Sequence, residues 1–183
     1  MNYFYSYANG LKSLADQHRG AGFLEGYATY LEIHAAYLNF NKFKVNDASV
    51  KPKLQEYLNN QMEFIETMAD KFSRDVYWQQ AYAFLEQARY AYRGFLQRIH
   101  EEGRLDLYIG FSQYYYLTSI GDFRELLPTY NNPSDTPEKS CTGFIKKVDN
   151  EIFVAHSTGS YYPYMLRIVK SYHFPTRDES VGA

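Results

Sequence analysis

The sequence has a single cysteine, Cys141, among 183 residues, and this excludes an internal disulfide. The redox compartment of the protein therefore cannot be inferred from cysteine pairing. No apolar run reaches the roughly 20 residues that a membrane-spanning helix needs. The first residues, Met1-Asn2-Tyr3-Phe4-Tyr5, have neither a basic n-region nor an apolar h-region. We therefore expect no transmembrane segment and no signal peptide in this chain.

The chain also lacks a large excess of either charge, because 19 Lys and Arg residues are mixed along it with 21 Asp and Glu residues. Without a basic patch we expect no nucleic-acid partner. The histidines other than His156, which are His18, His34, His100 and His173, show no metal-ligand spacing, so we predict no metal. The glycines of residues 20–26 have the wrong spacing for a dinucleotide site and follow no strand, so we predict no cofactor. Small residues there favour close helix packing, and they leave Glu25 either solvated or facing a pocket.

Aromatic residues are abundant, at 19% of the chain, and they provide large packing surfaces. Apolar residues recur with helical spacing in three stretches, at about 24–38, 54–72 and 78–99. Asp75 and its neighbours supply capping groups for the third stretch. Residues 1–128 are therefore predicted to be a helical section. The polar, proline-containing residues 129–140 predict an exposed loop that is suited to proteolytic processing.

Residues 141–183 begin with a predicted β-hairpin. Asp149-Asn150 tolerates the backbone of a two-residue turn between strands at about 143–148 and 151–155. Cys141 then begins one strand and His156 ends the other, which predicts that they are neighbours in an antiparallel pair. The sequence after the hairpin predicts a last amphipathic helix. It would be capped by Ser157-Thr158 and continue through Met165, Leu166, Ile168 and Val169.

Two interpretations of Cys141 are open from these patterns. Free cysteines are commonly small buried apolar residues. A thiol that begins a strand after a cleavable loop also suits an N-terminal-nucleophile hydrolase, because cleavage of the preceding bond gives the thiol a free α-amine as its base. The nearby imidazole of His156 favours the catalytic interpretation.

The chain resembles the phospholipase B-like (lamina ancestor) proteins in several segments that occur in the same order. These segments are Ala21-Gly22-Phe23-Leu24-Glu25-Gly26, Tyr77-Trp78, Leu85-Glu86-Gln87, Gly121-Asp122-Phe123 with Leu126, Cys141-Thr142-Gly143-Phe144-Ile145-Lys146, Glu151-Ile152-Phe153-Val154-Ala155-His156-Ser157-Thr158, and Tyr161 with Met165-Leu166-Arg167-Ile168 and Lys170. The resemblance implies a four-layer αββα fold and a lysosomal or secreted protein.

The same resemblance implies a hydrolase that cleaves an amide or ester bond of a lipid-like substrate after autocatalytic cleavage between Ser140 and Cys141. Cys141 would be the nucleophile, and His156 would lie beside the thiol. Thr158 and Gly159 would line the substrate pocket, although family members usually have tryptophan where this chain has Gly159.

Members of that family are about three times longer than this chain. The resemblance therefore implies an α+β fold made of a helical section, a hairpin and a helix from an incomplete αββα sandwich. We expect a complementary C-terminal chain or segment as a partner and no activity from this chain alone. The alternative is a non-catalytic binding or structural protein that keeps the first part of the fold.

Overall fold

The structure, a computed structural model, describes residues 2–42, 50–119, 122, 141–158 and 168–175. The elements are β1 (Asn2–Tyr7), α1 (Leu14–Ala28), α2 (Tyr30–Lys42), α3 (Val50–Lys71), α4 (Val76–Glu101), a 3-10 helix (Leu105–Leu107), α5 (Phe111–Thr118), β2 (Cys141–Val148), β3 (Glu151–Thr158) and β4 (Ile168–His173). The predicted mixture of helix and strand is confirmed, and the described part is mostly helical.

The three predicted helical stretches are all helices in the structure. The first stretch is divided into α1 and α2 at Thr29. The Thr29 hydroxyl donates a hydrogen bond to the Glu25 carbonyl at 2.8 Å. Two polar side chains cap the starts of helices, and the capping role of Asp75 confirms the prediction. Ser13 accepts from the backbone N–H of Asp16 at the start of α1, and Asp75 accepts from two backbone N–H groups at the start of α4.

The main core lies along the second half of α4. Phe95 and Ile99 are fully buried there against Ile109, which follows the 3-10 helix. Tyr92 also enters this core, and its hydroxyl donates to the Ile109 carbonyl at 2.9 Å, so the polar end of the ring has a partner. A smaller apolar cluster forms around Leu54 of α3. Helix α4 is therefore the element on which the other helices assemble.

The four strands form two separate pairs among the described residues. β2 and β3 pair antiparallel through a tight turn in which Asp149 has a φ of 53°, and this confirms the predicted hairpin. β1 and β4 pair in parallel, from Asn2 opposite Ile168 to Tyr7 opposite His173. The parallel pair joins two segments that lie near opposite ends of the sequence.

The predicted last helix is wrong over the residues that the structure describes. Ser157 and Thr158 end strand β3, and Ile168 and Val169 begin strand β4. Local apolar spacing favoured a helix, but β-branched residues at 168–169 pair with β1, and such tertiary pairing overrides local preference.

Strand β1 was not predicted within the helical section. The loop at 129–140, together with Met165 and Leu166, lies outside the described residues.

Candidate functional site

The hairpin brings the two predicted catalytic residues to neighbouring positions of one ladder. Cys141 lies opposite Thr158, and His156 lies opposite Gly143. Cys141 and His156 are therefore diagonal neighbours, a relation that separates backbone positions by about 7–8 Å. Thr158, a predicted pocket residue, shares a register position with the cysteine. Ser140 and Gly159 fall outside the part of the chain that the structure describes.

Both faces of this hairpin are apolar and exposed. Ile145 is 76% exposed and its cross-strand partner Val154 is 72% exposed on one face. Phe144 and Phe153 are exposed on the other face. Strands with apolar residues on both faces are typical of sheets that are covered on both sides. The hairpin thus has the composition of an internal strand pair.

A largely buried carboxylate, Glu25 of α1, binds two side chains of β4. The Glu25 side chain is 16% exposed and forms an ion pair with the ammonium group of Lys170. The Tyr172 hydroxyl donates to the second Glu25 oxygen at 2.6 Å. Burial raises the pKa of Tyr172, and the adjacent Glu25 carboxylate raises it further, so this phenol stays protonated as a donor. Of the two interpretations of Glu25, the solvated carboxylate is wrong.

His18 is a buried residue for which the sequence predicted no functional role. It is 2% exposed, and its Nδ1 lies 2.8 Å from Gln87 Oε1. The ring stacks on Phe174 with centroids 3.9 Å apart, and it meets Phe84 edge-on at 5.0 Å. Burial lowers the pKa of His18 and the hydrogen bond to Gln87 opposes this shift. No local pattern could have revealed these contacts, because they depend on where β4 lies.

A charged network joins helices α1, α3 and α4. At its centre is Glu86, whose side chain is 8% exposed and accepts from Arg19 Nε at 2.6 Å and from Arg89 Nη1 at 3.2 Å. Arg89 also pairs with Glu66 of α3, and Arg19 pairs with Asp16 at 2.9 Å. The network compensates a buried carboxylate with two guanidinium groups, as a buried charge requires.

Replacing Glu86 with glutamine is expected to destabilise the protein by about 1–3 kcal/mol, because two partly buried arginines lose their shared anion. Each arginine keeps one other carboxylate partner, Asp16 or Glu66, which limits the loss. Urea unfolding followed by circular dichroism measures the effect. Glu102→Gln, which removes a surface ion pair with Arg98 of α4, is the matched control and is expected to change the free energy of unfolding much less. Equal losses in the two variants would contradict the role of Glu86.

Two features are absent from the described ranges. Residues 2–42, 50–119, 122, 141–158 and 168–175 include no group of three or more His, Cys, Asp or Glu side chains placed to hold a metal ion. Over the same ranges, none of the helices combines the length and the apolar character that crossing a membrane requires.

The described chain is thus an α+β protein in which a lone cysteine begins one strand of an exposed hairpin and a histidine lies on the partner strand. The family model of Phospholipase B matches residues 8–183, and the chain belongs to this family. The predicted resemblance is confirmed at that level.

Curated relatives agree with this membership at low identity. The chain is 25% identical over 178 residues to Phospholipase B-like protein A of Dictyostelium discoideum, with 84% of this chain and 31% of the relative covered. It is 26% identical over 173 residues to Phospholipase B-like 1 of Homo sapiens, covering 89% of this chain and 31% of the relative. Phospholipase B of Crotalus adamanteus is 26% identical over 178 residues, with 86% of this chain and 31% of the relative covered. The chain spans just under a third of the length of these relatives.

Proposed function

We propose that this chain is the nucleophile-bearing part of an N-terminal-nucleophile hydrolase that cleaves an amide or ester bond of a lipid-like substrate. The observation that supports this most directly is the register of the hairpin, in which Cys141 begins one strand and His156 is its diagonal neighbour on the other. Membership of the Phospholipase B family supports the substrate class, because the relatives carry phospholipase names.

The proposed reaction begins with cleavage of the bond between Ser140 and Cys141, which leaves Cys141 with a free α-amine. This amine accepts the thiol proton, and the thiolate attacks the carbonyl carbon of the substrate. The bond to the leaving alcohol or amine breaks as that group takes up the proton, and an acyl thioester remains. Water then attacks the thioester, the fatty acid departs, and the thiol is restored. In this scheme His156 lies beside the thiol, and Thr158 and Gly159 line the pocket.

A complementary C-terminal chain or segment is part of the proposal. The hairpin has apolar side chains on both faces, and every described side chain from Thr142 to Ser157 is exposed. The relatives extend over about three times the matched length, so they have polypeptide that would cover these faces in an αββα arrangement. Without that polypeptide, few residues would enclose the substrate pocket. We therefore propose that the chain alone is inactive. A lysosomal or secreted location accompanies the proposal.

The test uses protein purified from its natural source, with any further polypeptide that accompanies the chain. We expect intact-mass measurement and N-terminal sequencing to show a new N-terminus at Cys141 after incubation at acidic pH. We expect the cut protein to release fatty acid from phosphatidylcholine vesicles or from an N-acyl amide, and iodoacetamide to abolish that release. Protein that stays uncut and releases no fatty acid would contradict the proposal and favour the non-catalytic binding or structural protein.

A further inference from the structure

Helix α1 holds strand β4 and the two residues after it through one helical face. Residues seven apart on a helix lie on the same side, and Glu25 binds Lys170 and Tyr172 while His18 stacks on Phe174. Gln17, which precedes His18 in α1, adds a contact with the backbone of the segment, because its Nε2 donates to the Pro175 carbonyl at 3.3 Å. We call this set of contacts between α1 and residues 170–175 the β4 clasp.

The two ends of the β4 clasp differ in the chemical groups that make their contacts. At one end an anion, Glu25, binds a cation and a hydroxyl. At the other end the imidazole of His18 lies between two phenyl rings, those of Phe174 and Phe84, and is almost inaccessible to water. A proton on this ring would place a charge in an apolar contact, which costs free energy unless the charge is paired.

We propose that His18 makes the docking of residues 168–175 on helix α1 sensitive to acid, so that protonation of the imidazole releases this segment. The inference concerns a conformational property of the chain. It does not depend on the proposed function.

None of the groups in hydrogen-bond or ring contact with His18 among the described residues is charged. Helix α4 contributes the amide of Gln87 and the ring of Phe84, and the segment after β4 contributes the ring of Phe174. Helix α1 itself contributes the neighbouring Arg19, whose guanidinium binds Glu86.

Several other charged or titratable groups of these elements are paired, including Tyr172 of β4, whose hydroxyl donates to Glu25. On α4, Glu86 binds Arg19 and Arg89. On β4, Lys170 binds Glu25, whereas His173 belongs to the opposite face of the strand and contacts Tyr7. The carboxylates of Glu25 and Glu86 therefore already pair with other cations, and neither is among the hydrogen-bond or ring contacts of His18 in the described residues.

The direction of the effect follows from burial. When residues 168–175 are released, His18 of α1 becomes exposed and has the ordinary histidine pKa of about 6.5, whereas burial in the docked state holds the pKa of His18 lower. The released state therefore takes up the proton first, and docking weakens as the pH falls below about 6.5. A cation–π contact with Phe174 would recover less free energy than burial of an unpaired charge costs. One proton changes the docking equilibrium by at most about tenfold per pH unit.

The experiment measures hydrogen exchange of the full 183-residue chain at pH 7.5 and pH 5.0, corrected for the intrinsic chemical rates. We expect the protection of residues 168–175 to fall by about fivefold to thirtyfold at pH 5.0, the upper limit being one proton over about 1.5 pH units. Residues 91–99 in the core of α4 serve as the internal reference and should keep their protection. Equal protection of residues 168–175 at both pH values would overturn the proposal.

Two variants locate the sensor. In His18→Phe the ring remains and the proton site is lost, so protection of residues 168–175 should be the same at both pH values. His173→Gln removes the exposed histidine of strand β4, and this variant should show the same fall in protection as the wild type. A fall that disappears in His173→Gln and persists in His18→Phe would overturn the assignment. If His18→Phe does not fold, an NMR titration of His18 in the wild-type protein decides, because a midpoint at or above 6.5 would contradict the proposal.

Discussion

Replacing Gly26 with alanine is expected to destabilise the protein by about 3 kcal/mol or more, because α1 and α4 touch backbone to backbone at this residue. A Cβ built on Gly26 would lie 1.7 Å from the Ala91 carbonyl oxygen. The same contact is tight on both helices, since a Cβ on Gly94 of α4 would lie 2.0 Å from the Phe23 carbonyl oxygen. Backbone atoms cannot rotate away as a side chain can, so the helices must separate.

Thermal and urea unfolding of Gly26→Ala measure this effect, and the control lies on the same helix. Gly20 faces open space, with no atom within 4 Å of a built Cβ. Gly20→Ala should therefore stabilise the protein by about 0.5–1 kcal/mol through helix propensity alone. If both alanine variants shift the unfolding midpoint in the same direction, the close approach of α1 and α4 at Gly26 is contradicted.

Replacing Cys141 with alanine is expected to abolish both the cleavage before residue 141 and hydrolysis, with a loss of activity of at least about a thousandfold. The reason is that the proposed reaction forms its covalent bond at this sulfur, and the chain has no second cysteine to replace it. Mass spectrometry of the precursor after acidification measures the cut. Fatty acid release from phosphatidylcholine vesicles by the assembled protein measures hydrolysis.

Thr142→Ala is the matched control, because Thr142 is the exposed next residue of the same strand. It should leave both the cut and hydrolysis within about twofold of the wild type, as a surface substitution outside the reacting group does. Cys141→Ser adds a further test, since a hydroxyl keeps a nucleophile of lower reactivity and should give a slow cut. Full hydrolysis by Cys141→Ala would exclude the thiol from the reaction.

The helices and the hairpin could be predicted from the sequence because their signals are local. Apolar spacing indicated α3 and α4, and the dipeptide Asp149-Asn150 indicated the turn between β2 and β3. The parallel pair could not be predicted, because Tyr7 finds its partner His173 across almost the whole sequence. A short strand without a neighbouring partner in the sequence has no hairpin signal.

The same limit applies to the candidate site. Cys141 and His156 could be related because one hairpin carries both residues. The contacts of Glu25 with Tyr172 and of His18 with Phe174 depend on the placement of β4 against α1, which follows from its pairing with β1. These residues join segments that are too distant in the sequence for any short pattern to relate them.

The pairing of β1 with β4 has a consequence for a chain that has been cut before Cys141. In the uncut protein this pairing closes a very long loop, whereas after the cut β1 and β4 belong to two different polypeptides. The parallel ladder, the ion pair of Glu25 with Lys170 and the stacking of His18 on Phe174 would then be intersubunit contacts. The two products would remain associated as a noncovalent heterodimer through native purification at neutral pH, and a denaturant that breaks the ladder would separate them.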